Sequence, residues 1–192
     1  SMCLLDILFK SGYDIVAAHL NHNWRGNESL KEAKVCEKFC NARGIKFYTE
    51  TLSEEVPQNE TCAREARYEF FKRCAEKFNS NVVFTAHNYD DNAETVLYRV
   101  IKGTGIAGLQ GIAEHRDIFY RPLLNMTRKH IEQYCLENNL KPNNDSSNDN
   151  IKYKRNLIRK KILPLMKEIN PKVTDALNSL SKIANEDCDE KE

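Results

Sequence analysis

The sequence predicts an α/β fold in which a parallel sheet is flanked by helices and followed by a helical appendage. Short apolar runs at residues 14–20, 45–49 and 82–86 have the length and composition of buried strands. Segments with helical periodicity separate these runs, and strands that alternate with helices form parallel sheets. We therefore expect an α/β domain over residues 1–126 and a helical extension over residues 127–192.

The first part of the chain alternates between helix and strand. Its predicted helices are Met2 to Lys10, Ser29 to Arg43 and Thr61 to Phe78, and its predicted strands are Ile15 to Leu20 and Ile45 to Thr49. Gly12 and Gly44 each follow a helix, as expected of residues that end helices. Arg64 and Arg67 lie off the apolar stripe of the third helix. These arginines either form a solvated face or contact a phosphate, which a guanidinium group fits well.

The stretch from Val82 to Gly105 combines a short strand with a predicted helix. Its candidate site residues are His87, Asp90, Asp91 and Glu94, at positions i, i+3, i+4 and i+7. On a helix this spacing gathers them on one side near the helix start. Acidic residues there also complement the helix dipole, which is a structural explanation. Repulsion among three carboxylates nevertheless predicts a cation, a basic side chain or a charged substrate beside them.

Three further features of the second half of the chain are apolar positions predicted to face a core, a glycine-rich loop and a run of basic residues. Val96, Leu97, Val100 and Ile101, and later Ile158, Ile162 and Leu165, are expected to face a core. Four glycines between residues 103 and 111 predict a mobile loop that closes over substrate. Six of the ten residues 152–161 are basic, which indicates either a solvated face or contact with a phosphate backbone.

Composition excludes several classes of protein. Charged residues make up 30% and hydrophobic residues 41%, as in ordinary globular domains, and the net charge of +1 indicates no particular partner. No apolar run approaches the length of a membrane span, and no secretory signal is visible. The seven cysteines are scattered without a Cys-x-x-Cys pair, which predicts reduced thiols in the cytoplasm rather than a disulfide framework or a zinc site.

Six short motifs occur in a characteristic order along the chain. They are His19-Leu20-Asn21-His22, Ala63-Arg64-Glu65-Ala66-Arg67-Tyr68, Thr85-Ala86-His87 with Asp90-Asp91 and Ala93-Glu94-Thr95, Arg121-Pro122-Leu123-Leu124, Asp145 with Ser147-Asn148, and Tyr153 with Arg155-Asn156 and Arg159. Together they resemble tRNA(Ile)-lysidine synthetases over almost the whole chain. The resemblance implies an adenine nucleotide alpha-hydrolase-like PP-loop ATPase domain. Such enzymes use ATP to adenylate the wobble cytidine of tRNA(Ile) and then attach L-lysine.

The resemblance also implies cofactors, partners and residue roles. The cofactors are ATP and Mg²⁺, and the partners are L-lysine and a tRNA(Ile) with a CAU anticodon. The implied catalytic residues are His87, Asp90, Asp91 and Arg67, and the implied ATP-binding residues are Ser1, Asn21, His22, Arg64, Arg67 and His87. Asp91 and Glu94 are expected to bind lysine, and Lys152, Arg155 and Arg159 to bind tRNA. Asp90 is expected to hold either Mg²⁺ or the amine.

The family's phosphate-binding loop reads Ser-Gly-Gly-x-Asp-Ser, and at most its last serine remains here, as Ser1. We therefore expect a fragment whose parent carries the activity, and whether that parent forms a homodimer is left open. Two alternatives remain at this stage. One is a non-catalytic nucleotide- or RNA-binding domain. The other is a PP-loop enzyme that thiolates cytidine, although such enzymes usually carry the Cys-x-x-Cys that this sequence lacks.

Overall fold

A computed structural model describes residues 1–21, 27–53, 57, 59–141 and 154–189. The predicted site residues His22 and Lys152 lie outside these ranges. The helices are α1 (Met2–Lys10), α2 (Asn27–Asn41), α3 (Glu60–Lys77), α4 (Tyr89–Lys102), α5 (Ile106–Leu109), α6 (Arg128–Glu137), α7 (Lys154–Leu157), a π-helical segment (Ile158–Ile162), α8 (Leu163–Ile169) and α9 (Val173–Asp189). The strands are β1 (Val16–Asn21), β2 (Lys46–Thr51), β3 (Val83–Phe84), β4 (His115–Arg116) and β5 (Phe119–Tyr120).

The chain divides into two compact units. The first consists of Ser1–Val83 with Cys135–Asn143, and the second consists of Phe84–Tyr134 with Asn144–Glu192. The domain boundary predicted at residue 126 stays a prediction.

The first unit is built on a parallel pair of strands. β1 and β2 pair in register from Val16 opposite Lys46 to Asn21 opposite Thr51. Helix α3 packs on β1, and the buried side chains of Leu20, Phe70 and Cys74 form a common core. These strands, with helices between them, confirm the predicted α/β class.

The second unit is mainly helical, and α4 lies at its centre. Helix α9 and the π-helical segment both pack on α4. The buried core consists of Ala93, Val96, Leu97, Ile158, Leu163, Val173 and Leu177. A small sheet has the strand order β3-β5-β4, in which β4 and β5 pair antiparallel. In sequence, β3 precedes α4, and β4 and β5 follow it.

Two predictions about buried side chains were wrong. Val100 and Ile101 are 46% and 55% exposed, because the packing helices bury α4 from Asn92 to Leu97 and do not cover its last turn. Leu165 is 61% exposed, whereas Leu163 is 7% exposed and takes the inner position. The π-helical segment before it explains the shift, because its wider turn moves every later side chain around the helix axis.

Candidate functional site

The acidic cluster lies at the start of α4, where Asn88 forms the N-cap. The Asn88 side chain accepts from the Asp91 N–H at 3.0 Å, and Asp91 Oδ2 accepts from the Asn88 N–H at 3.0 Å. This capping box fixes the first turn of the helix. Because the helix begins at Tyr89, His87 lies before it, and the prediction that His87 shares a helix side with the carboxylates was wrong. His87 Nδ1 lies 3.0 Å from Thr85 Oγ1.

A basic side chain, Arg159, lies against the acidic cluster. Its Nε donates to Glu94 Oε1 at 2.6 Å, and its Nη2 donates to Glu94 Oε2 at 2.9 Å and to Asp91 Oδ1 at 3.0 Å. Bidentate arginine–carboxylate pairs of this kind are strong and directional. Of the three kinds of partner that the sequence left open for the carboxylates, the structure supplies the basic side chain.

Burial has the largest effect on the pKa of Glu94, and the hydrogen bond has the largest effect on the pKa of Arg159. The Glu94 residue is 3% exposed, and its burial raises the pKa of the carboxyl group. The hydrogen bonds and charge of Arg159 oppose this rise in part. In return, the hydrogen bond to Glu94 raises the pKa of Arg159, which keeps the guanidinium charged.

The other arginine of the basic run, Arg155, also contacts α4. Arg155 Nη2 donates to Thr95 Oγ1 at 3.2 Å, and Thr95 Oγ1 donates to the backbone oxygen of Asp91 at 2.8 Å. Arg155 and Arg159 thus contact the helix that carries the acidic cluster. Their predicted contact with tRNA stays a prediction.

Asp90 contacts the start of helix α6. Its Oδ2 accepts from the Arg128 N–H at 2.7 Å, where α6 begins. Within the described ranges, no three His, Cys, Asp or Glu residues group closely enough to hold a metal ion. Because proteins bind Mg²⁺ through one or two carboxylates together with water and substrate phosphates, Asp90 fits as one ligand of such a site but cannot complete it. Its role as a metal ligand stays a prediction.

A pocket of about 270 Å³ opens beside the acidic cluster. It is lined by Asp90, Glu94, Arg128, Arg159, Leu163, Pro164, Lys167 and Thr174. Acidic and basic side chains therefore face one small cavity. Thr174 Oγ1 is buried and has no hydrogen-bond partner among the described residues. A buried hydroxyl without a partner at a pocket wall indicates a place for a water molecule or a polar ligand atom.

Sequence reasoning missed three polar pocket residues. Arg128, Lys167 and Thr174 lie on three different helices, α6, α8 and α9. No local spacing connects them, since only the packing of these helices around α4 brings them to one cavity. The basic run ended at Lys161 in the sequence analysis, and Lys167 lies just beyond it.

The glycine-rich loop is tied to α4. Arg99 Nη1 donates to the backbone oxygens of Gly108 and Gly111 at 2.8 Å and 2.9 Å. Asn92 Oδ1 accepts from the Ile112 N–H at 2.6 Å. Gly111 has a φ of 72°, and an added Cβ there would collide with Asn92. The loop is thus more firmly held than the sequence predicted, and its closure over substrate stays a prediction.

The first unit contains the other predicted site residues. Asn21, at the end of β1, is 3% exposed. His19 stacks on Phe47, and burial lowers the pKa of its imidazole, an effect to which the nearby charge of Arg67 adds.

Two more of these residues lie on helices of the same unit. Arg64 donates to the Tyr68 hydroxyl at 3.0 Å. Ser1 forms the N-cap of α1, and its backbone oxygen accepts from the Leu5 N–H at 3.1 Å. ATP binding by the residues of this unit stays a prediction.

Across the described ranges, every helix is too short or too polar to cross a lipid bilayer.

Sequence comparison identifies relatives along nearly the whole chain. A family model described as a PP-loop domain matches residues 1–166. A protein of Clostridium acetobutylicum named tRNA(Ile)-lysidine synthase is 39% identical over 98% of this chain and 44% of its own length. Proteins of the same name from Porphyromonas gingivalis and Bacteroides thetaiotaomicron are 41% and 37% identical, over 92% and 97% of this chain. The chain spans less than half the length of these relatives.

Structure comparison agrees on the fold. The U34-tRNA thiolase NcsA from Methanococcus maripaludis, solved with its [4Fe-4S] cluster, superposes with a TM-score of 0.70 over 95% of this chain and 67% of its own. The two sequences are 17% identical, so this similarity concerns the fold alone. The α/β PP-loop fold predicted from the sequence is confirmed.

Proposed function

The chain belongs to the PP-loop domain family, and on this basis we propose that it acts in the ATP-dependent ligation of L-lysine to a tRNA. The proposed acceptor is the wobble cytidine of a tRNA(Ile) with a CAU anticodon, and the proposed product is lysidine. The name shared by the relatives that match most of this chain supports this choice.

The pocket beside α4 is the structural observation that carries the proposal. Lysine brings one carboxylate and two amines, so its site requires both acidic and basic groups. The pocket offers Asp90 and Glu94 on one side, and Arg128, Arg159 and Lys167 as cations. Its volume of about 270 Å³ lies just below the usual range of about 300–1,000 Å³ for small-molecule sites, which suits a ligand as small as a single amino acid.

The first proposed step is attack of the cytosine O2 on the α-phosphorus of ATP, with loss of pyrophosphate. Negative charge builds on the phosphates, and fixed cations stabilise it. We assign this role first to Arg67 and then to Arg64, with Ser1, Asn21 and His22 along the ATP site. Mg²⁺, when bound, supplies further positive charge at the phosphates.

The second proposed step is attack of the lysine ε-amine on cytidine C2, with AMP as the leaving group. Asp91 and Glu94 hold lysine through its ammonium charge, and Arg159 pairs with both carboxylates. The attacking amine must lose a proton before it reacts. We assign proton movement to His87, which follows the strand end and precedes α4.

The partners follow from the same proposal. Residues 1–126 form the proposed catalytic domain, and the helical extension completes its proposed lysine pocket. The basic segment from Lys152 to Lys161 is proposed to contact tRNA in the cytoplasm. A non-catalytic RNA-binding domain is the competing function. The pairing of Asp91 and Glu94 with Arg159 favours it in one respect, since an ion pair can be purely structural.

The test uses the full natural polypeptide that contains this sequence. It is incubated with ATP, Mg²⁺, isotopically labelled lysine and a CAU-anticodon tRNA, and the tRNA is digested to nucleosides for mass spectrometry. The proposal predicts a labelled nucleoside that requires ATP and is absent when uridine replaces the wobble cytidine. Binding of the tRNA without any labelled nucleoside would overturn the proposal and favour the RNA-binding domain.

A further inference from the structure

One side of helix α9 is polar and faces α4 and the glycine-rich loop. Its polar side chains are Asp175, Asn178, Ser181 and Asn185. The Tyr89 hydroxyl donates to Asp175 Oδ1 at 3.2 Å, and Ser181 Oγ donates to the backbone oxygen of Gln110 at 2.7 Å. Helix α9 is therefore attached to α4 and to the loop by directed hydrogen bonds as well as by its apolar side.

Asn178 occupies the central position of this polar side. Its Nδ2 donates to the backbone oxygen of Tyr89 at 3.2 Å and to the backbone oxygen of Thr174 at 2.9 Å. Its Oδ1 accepts from Asn92 Nδ2 at 2.8 Å. One amide side chain thus uses both of its donor hydrogens and its acceptor.

Two partners of Asn178, Tyr89 and Asn92, lie on α4, which contributes Asp90 and Glu94 to the pocket, and the third, Thr174, lies on α9 and lines the pocket itself. Tyr89 immediately precedes Asp90, which lines the acidic wall, whereas Thr174 itself lines the wall formed by α9. Asn92 lies between Asp91 and Glu94 in the first turns of α4. Asn178 therefore joins the helix that carries the acidic wall to the helix that carries Thr174, alongside the Tyr89–Asp175 and Asn92–Ser181 hydrogen bonds.

We propose that Asn178 is a positioning residue that sets the width of the mixed-charge pocket and thereby its affinity for lysine. The identity of the ligand rests on the proposed function, whereas the positioning itself does not. Removing the amide deletes its bonds to the Tyr89 backbone oxygen and to Asn92 Nδ2, which retains only its longer bond to Ser181 Oγ at 3.3 Å, and these losses weaken the attachment of α9 to α4.

The chain contains a matched control for this residue. Asn185 lies on the same helix and is half-buried like Asn178. Its Nδ2 donates to Ser181 four residues earlier at 2.8 Å and to Gln110 at 3.1 Å. Each asparagine makes one bond to its own helix, but Asn178 makes two bonds to α4, whereas Asn185 makes one bond to Gln110, and neither partner of Asn185 lines the pocket.

The first experiment measures lysine affinity by calorimetric titration of the full natural polypeptide. It compares wild type with Asn178→Ala, Asn178→Asp and Asn185→Ala, and thermal unfolding of each variant is recorded. Asn178→Asp retains the size and the acceptor oxygens but loses both donors. We expect lysine to bind about tenfold more weakly to both Asn178 variants and within about twofold of wild type to Asn185→Ala. ATP affinity is expected to stay unchanged in all three variants.

The second experiment needs no ligand and measures amide hydrogen exchange by mass spectrometry. Asn178→Ala is expected to accelerate exchange in residues 84–92 and 173–178, whereas Asn185→Ala accelerates it in residues 108–112. Equal lysine affinities and equal exchange patterns in the two alanine variants would overturn the inference. If wild type binds no lysine, the proposed function fails, and the exchange patterns alone decide whether Asn178 positions the walls.

Discussion

Arg159 donates hydrogen bonds to both carboxylate oxygens of Glu94, with its Nε 2.6 Å from Oε1 and its Nη2 2.9 Å from Oε2. The glutamate side chain is 4% exposed and that of the arginine is 29% exposed. A carboxylate so deeply buried would be costly without its partner, since water no longer solvates it. The pair connects the acidic start of α4 to the π-helical segment, and it forms part of the pocket wall.

The stability of the second unit should depend on this pair. Arg159→Gln removes the positive charge and leaves Glu94 buried without its partner, so we expect the free energy of unfolding to fall by about 3 kcal/mol. Because Arg159 is partly exposed, this loss lies at the lower end of the range of about 3–5 kcal/mol that is typical when one partner of a buried ion pair is removed. Urea denaturation followed by circular dichroism measures this change.

Arg155 provides the control for that substitution. It lies one turn earlier and donates to Thr95 Oγ1, a neutral group, and its charge has a smaller effect on the pKa of Glu94 than that of Arg159. Arg155→Gln should therefore cost less than about 1 kcal/mol. Equal losses in the two variants would show that the charge of Arg159 has no special part in the stability of the unit.

The buried Glu94 should also make stability depend on pH. Its folded-state pKa is raised above the usual value of 4.5, so the folded state retains this proton at a pH where the unfolded state has lost it. The stabilisation from this group is complete below pH 4.5 and is lost as pH rises through the raised pKa.

The comparison that isolates this effect is wild type against Glu94→Gln, which cannot titrate. The free energy of unfolding of wild type minus that of the variant should decrease as pH rises from 4.5 through the folded-state pKa of Glu94. A difference that increases with pH over this range would mean that Arg159 outweighs burial and lowers the pKa.

The π-helical segment predicts a contrast between two nearby leucines. Leu163 is 7% exposed and packs in the core, whereas Leu165 is 61% exposed. Leu163→Ala should lower the free energy of unfolding by about 2–3 kcal/mol, and Leu165→Ala should change it by less than about 0.5 kcal/mol. Thermal or chemical denaturation checks both, and a larger loss for Leu165 would indicate a regular α-helix through residues 158–162.

The first unit depends on Phe70. This side chain is fully buried against Leu20 and Cys74, and it stacks on Tyr48 with ring centroids 6.1 Å apart. Phe70→Ala should cost about 3–4 kcal/mol through lost burial and the cavity left behind. The neighbouring Phe71→Ala serves as control, since Phe71 is only partly buried and should lose less.

Much of the fold followed from the sequence because its signals are local. The apolar runs at β1 and β2 and the alternating helices predicted the parallel pair of strands. Local chemistry is also visible at the start of α6, where Thr127 is a residue type that caps helices and its Oγ1 accepts from the His130 N–H at 3.3 Å.

The errors have physical causes that local patterns do not contain. The π-helical segment has no characteristic residue type that would reveal it in a sequence. The inward position of Leu163 could therefore not be predicted from helical spacing. The repulsion among the carboxylates predicted a cationic partner, but its identity as Arg159, 65 residues beyond Glu94, depends on helix packing. The pocket walls depend on the same packing.

The most direct test of the account is whether the mixed-charge pocket binds lysine. Calorimetric titration of the full natural polypeptide compares wild type with Lys167→Met, which removes a pocket cation, and with Lys161→Met, which removes an exposed cation outside the pocket. The account predicts that lysine binds wild type and Lys161→Met alike and binds Lys167→Met about tenfold more weakly. Equal affinity for all three proteins, or no binding to wild type, would contradict it.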